Sequence, residues 1–97
     1  DIDPGGFISQ VLLPLVVDRV YTFKVAVGEL GIFSGGTLNV DITGNPTRSF
    51  DADNMSRFPY IYYNFDFTAT NTNTILTITN NTTRFGVRLD EISVKPA

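Results

Sequence analysis

Apolar and polar residues alternate with period two along most of this chain. From Val20 to Val27, Tyr21, Phe23, Val25 and Val27 share one face, and Thr22, Lys24 and Ala26 the other. From Thr37 to Ile42, Leu38, Val40 and Ile42 oppose Thr37, Asn39 and Asp41. From Tyr60 to Thr68, Ile61, Tyr63, Phe65 and Phe67 point inward, leaving Tyr60, Tyr62, Asn64, Asp66 and Thr68 outside. Thr74 to Thr79 offers Leu76 and Ile78 as core. Successive side chains of a strand point to opposite faces, so each run predicts a half-buried β-strand. An earlier strand is expected over Phe7 to Leu13, ended or marked as an edge by Pro14.

The last apolar run, Gly86 to Lys95, changes phase. Val87 and Leu89 have one parity, Ile92 and Val94 the other. One strand buries both pairs on one face only if it carries an extra residue, which predicts a β-bulge at Asp90-Glu91. Turn formers separate the runs: Pro4-Gly5-Gly6, Gly28 to Gly36, Thr43-Gly44-Asn45-Pro46, Asn71 to Asn73 and Asn80 to Thr83. No segment has a helical period. The expectation is an all-β, antiparallel two-sheet β-sandwich of about six strands without significant helix, forming one domain over residues 1–97. Thr47 to Pro59 reads as a long irregular connection, either a crossover between sheets or a functional loop.

Composition narrows the chemistry. The chain has no Cys and no His, which removes disulfides, thiolate catalysis, Cys-type zinc sites and the usual proton-transfer side chain. Net charge is −3, with no Lys/Arg run, so nothing draws the chain to nucleic acid. No apolar run approaches the roughly 20 residues of a membrane span. Paired carboxylates across a cleft are not legible, and the chain is read as a non-enzyme.

Candidate sites follow from residue type. Tyr60, Tyr62, Asn64 and Asp66 would combine flat rings with amide and carboxylate groups on one outward face. That mixture suits a sugar, or else a protein partner. Leu12-Leu13-Pro14-Leu15-Val16-Val17 is hard to bury in so small a domain; Leu12, Leu13, Leu15 and Val16 would form an association patch, or cap the sandwich. Asp51, Asp53 and Asn54 form an acidic loop balanced by Arg48 and Arg57, without the glycine or distal Glu of an EF-hand. Asn54-Met55-Ser56, Asn80-Asn81-Thr82 and Asn81-Thr82-Thr83 match N-glycosylation acceptors, which have meaning only in a eukaryotic source.

The order of these signals is also a resemblance. Gly6-Phe7-Ile8-Ser9-Gln10, Val20-Tyr21-Thr22-Phe23, Leu38-Asn39-Val40, Tyr63-Asn64-Phe65-Asp66-Phe67-Thr68-Ala69 and the closing Gly86-Val87-Arg88-Leu89-Asp90-Glu91-Ile92-Ser93-Val94 follow one another along the chain. Together they resemble the galactose-binding-like jelly rolls, especially carbohydrate-binding modules. The resemblance implies a jelly-roll sandwich with glycan binding on a sheet face or its loops. It also implies a structural calcium ion held in part by Asp90; Asp90 otherwise closes a turn. The opening of about forty residues expected from the resemblance has no counterpart here, so the chain is expected to be part of a longer polypeptide or assembly, associated through its N-terminal side. The functional expectation is a non-catalytic module of an extracellular or virion-surface protein that binds carbohydrate or another surface ligand. The alternative is a structural, decoration or fibre domain whose faces contact other protein chains.

Overall fold

The computed structural model describes residues 2–3, 5–12, 14–29, 36–51, 61–82 and 87–97. Seven strands are present: β1 (Phe7–Val11), β2 (Val20–Glu29), β3 (Gly36–Ile42), β4 (Arg48–Asp51), β5 (Ile61–Thr68), β6 (Ile75–Thr82) and β7 (Val87–Pro96). They form two antiparallel sheets, ordered β1-β6-β3-β4 and β5-β2-β7. Described residues contain no helix, hence none long and apolar enough to cross a membrane.

The inward faces are those the alternation predicts. Phe23, Val25 and Val27 of β2, Leu38, Val40 and Ile42 of β3, Phe65 and Phe67 of β5, and Leu76 and Ile78 of β6 form one core cluster. Each such side chain contributes roughly 1.5–3 kcal/mol of burial. Tyr21 joins them with its ring stacked 6.0 Å from Phe67, while its hydroxyl accepts the Val16 N–H at 2.9 Å.

The predicted bulge is present. Lys24 pairs with Ser93 and Ala26 with Asp90, so Glu91 and Ile92 together oppose Val25. Glu91 takes the extra turn, at φ 51°. Leu89 opposite Val27 and Val94 opposite Phe23 therefore both pack on the core.

Four expectations are corrected. The described residues form seven strands rather than about six, because Arg48–Asp51 inside the expected loop pairs with β3. Its inward Phe50 lies 4.4 Å from Tyr63, ring centre to ring centre, and the Arg48 guanidinium sits 4.5 Å from the centre of the Phe65 ring. The remainder of that segment, with Asp53 and Asn54, lies outside the described residues. Gly28-Glu29 continues β2, and Asn80 to Thr82 continues β6 rather than turning. Asn80 is fully buried: its side-chain amide donates to the Ile2 carbonyl at 2.7 Å, and its backbone exchanges bonds with Gly5 and Gly6. A buried amide so engaged is no glycan acceptor. Leu15 belongs to the core and Leu12 packs against it, which fits the cap on the sandwich, the second of the two readings of this segment. Val16 and Val17 remain exposed, at 58% and 43%. Leu13 lies outside the described residues.

Candidate functional site

The outward face of the β5-β2-β7 sheet collects the predicted polar and aromatic side chains. Register places them in rows across the three strands: Tyr62, Ala26 and Asp90; Asn64, Lys24 and Ser93; Asp66, Thr22 and Lys95. Tyr62, Asn64 and Asp66 are all exposed. Tyr60 lies outside the described residues.

Tyr62 is held in an unusual posture. Its hydroxyl donates to Glu91 Oε2 at 2.6 Å, although Glu91 is on β7, two strands away. Adjacent strands lie about 4.8 Å apart, so the side chain spans the gap only by lying across β2. Ala26 is the residue beneath. It faces outward yet is only 2% exposed. The Lys24 ammonium stands 4.8 Å from the ring centre, within cation–π range. Tyr62 as a residue remains 49% exposed.

The bulge makes this possible. Glu91 adopts positive φ, and its N–H is taken by the Asp90 carboxylate at 2.9 Å. The Glu91 carboxylate in turn pushes the Tyr62 hydroxyl's pKa above its ordinary 10.0, first by accepting its hydrogen bond and then by its negative charge. Thr22 donates to Asp66 Oδ1 at 2.7 Å, fixing the carboxylate at the far end of the face. Arg88, Lys24 and Lys95 share this face with Asp66, Asp90 and Glu91, so among the described residues named here the charges balance. Such a surface favours neither polyanions nor polycations.

Alternation places Tyr62, Asn64 and Asp66 on this outward face, as it does Thr22 and Lys24 on β2, but does not bring Glu91, Lys24 and Thr22 together with them. Alternation along one strand identifies a face, whereas these three are set by cross-strand register. Among the described residues, no group of three or more acidic side chains comes together to hold a metal ion. Asp90 Oδ1 accepts the N–H of its neighbour Glu91.

The sequence matches no protein-family profile and no curated protein. Among solved structures, one described as "CBM4 structure and function" superposes with a TM-score of 0.75 at 14% identity. It covers 97% of this chain and 66% of its own. What the two share is the fold, an antiparallel two-sheet β-sandwich. This chain thus spans just under two thirds of that neighbour's length.

Proposed function

We propose that this chain is a non-catalytic carbohydrate-binding module whose ligand lies on the outward face of β5-β2-β7. The observation that carries the reading is the Tyr62 ring, laid across Ala26 and pinned by Glu91. A sugar presents a C–H face to an aromatic ring and hydroxyls around its edge. Here a pre-positioned ring shares its face with the amide of Asn64, the carboxylates of Asp90 and, further along, Asp66, and the Ser93 hydroxyl. Holding the ring in place before the ligand arrives reduces the ordering cost of binding. An extracellular or virion-surface protein is the setting in which such a module would meet its glycan.

Titration against a panel of soluble oligosaccharides, followed by calorimetry, tests the proposal. Tyr62→Ala should weaken binding at least about tenfold, the equivalent of 1.4 kcal/mol. Tyr62→Phe keeps the ring and should lose less. Absence of binding at millimolar sugar, or an unchanged affinity in Tyr62→Ala, would sink it.

A second reading, a structural domain contacting other chains, draws on a different surface. On the outer face of β1 and β6, Phe7, Val11 and Ile75 are exposed at 66%, 68% and 47%, with Val11 directly opposite Ile75. Exposed apolar residues grouped in this way suit contact with protein. Light scattering of the purified chain distinguishes the two: a monomer across the accessible concentration range excludes self-association through that face.

A further inference from the structure

The two layers of the sandwich are unequal, four strands facing three. At one flank the mismatch is closed, because Phe50 and Arg48 of β4 reach down onto Tyr63 and Phe65 of β5. At the other flank it is open. Leu76 of β6 and Val94 of β7 line the same hollow, so β6 lies above β7 and β1 projects one strand further out.

Beneath β1 run two hollows. One, of about 240 Å³, is lined by Gln10, Leu12, Leu15, Leu76, Ile92 and Val94. The next, of about 220 Å³, adds Ile8 and Ile78 and shares Gln10, Leu76 and Ile92. Each opens partly to solvent along the flank and is large enough to take several apolar side chains. The shared residues make them one trough along the underside of β1.

The side wall of the trough is the edge of β7. Among the described residues that strand pairs only with β2, so alternate N–H and C=O groups along its other edge have no described strand partner. An apolar floor beside a strand edge calls for an occupant with apolar side chains on one face and a hydrogen-bonding backbone. A β-strand meets both demands. About five residues, some 17 Å, would match the length of β1.

A second copy of this chain does not fit by symmetric pairing of β7 with β7. Each copy would bring its own β6 above its β7, into the layer already occupied by the first copy's β1. One unaccompanied strand has no such conflict. It also covers far less than the roughly 800 Å² per partner of a stable dimer, which suits a short linear segment.

We infer that the flank between β1 and β7 receives one extended segment of another protein chain, with alternating apolar and polar residues, added to the free edge of β7. Its apolar side chains lie against Ile8, Leu76, Ile78 and Ile92; its polar side chains continue the outward face of β5-β2-β7. The inference is independent of the glycan reading, since the trough opens on the flank and Tyr62 lies on the face.

The test titrates isotope-labelled chain with the nonapeptide Lys-Thr-Ile-Thr-Val-Thr-Ile-Thr-Lys and with its permutation Lys-Ile-Ile-Val-Thr-Thr-Thr-Thr-Lys, read by NMR. The alternating peptide should shift the Ile8, Ile78 and Ile92 methyls and slow exchange of the β7 edge amides. The permuted peptide should bind at least tenfold more weakly. Ile92→Glu and Ile8→Lys alter partly exposed positions on opposite walls, and each should weaken the alternating peptide at least tenfold, while protected β2 amides confirm folding. The inference is overturned by absence of shifts at millimolar peptide, by equal response to both peptides, or by full binding in both variants. It is also overturned if the chain alone doubles in mass with its β7 edge protected.

Discussion

Replacing Gly44 with alanine tests the turn that joins β3 to β4, and its cost follows from the geometry. Gly44 has φ +76°, where an L side chain is strained by roughly 1–2 kcal/mol. A Cβ there would also lie 1.9 Å from Thr70 Oγ1 and 2.9 Å from Thr70 Cβ. Thr70 would have to leave its place and give up its bond to the Thr43 carbonyl, 3.3 Å long and worth about 0.5–1.5 kcal/mol. Displacement of the side chain from a rotamer well adds about 0.5–1.5 kcal/mol. The total is about 2–5 kcal/mol. At about 4–8 °C per kcal/mol for a domain of this size, Gly44→Ala should melt at least about 8 °C lower by circular dichroism. Gly44→Ala combined with Thr70→Gly should regain more than about 1 kcal/mol relative to additivity, leaving the backbone strain. A Gly44→Ala melting point unchanged from the parent, or strictly additive variants, would refute the collision.

Two further outcomes follow from the site and the core. In an ultraviolet titration Tyr62 should ionise above the ordinary tyrosine value of 10.0, and Glu91→Gln should bring that step down. Because the folded pKa is the higher one, the contribution of this contact to stability is complete below pH 10.0 and fades as pH rises through the folded value. Asn80→Ala leaves the Ile2 carbonyl without its amide partner and opens space in a fully buried position. It should cost about 2–4 kcal/mol, measured as a lower urea midpoint at unchanged slope.

Much of the core was legible because half-buried strands write their faces into the sequence. Tyr21, Phe23, Val25 and Val27 alternate with polar neighbours, and all four are buried. β4 was illegible for a physical reason. It has four residues, and its inward pair is Phe50 with Arg48, whose charged end rests on the Phe65 ring, so no apolar alternation marks it. Asn80 looks like a turn former, and partners distant in sequence, the Ile2 carbonyl and the backbone of Gly5 and Gly6, hold it in its buried place. Leu15 resembles a surface patch until the chain folds back, where its N–H donates to the Thr72 carbonyl at 3.3 Å and its side chain enters the core. The candidate site was half legible. Tyr62, Asn64 and Asp66 follow from alternation, but the Glu91 partner depends on register and on the conformation of one residue.

That residue makes the length of β7 as consequential as its composition. Glu91 and Ile92 occupy the space opposite a single residue, Val25. Deleting Glu91 would leave Leu89 and the present Val94 as far apart as Val27 and Phe23, so a regular strand would keep both against the core. The same deletion removes the carboxylate presented to Tyr62 and the local turn that aims it. A one-codon deletion here would therefore spare the interior and dismantle only the exposed face.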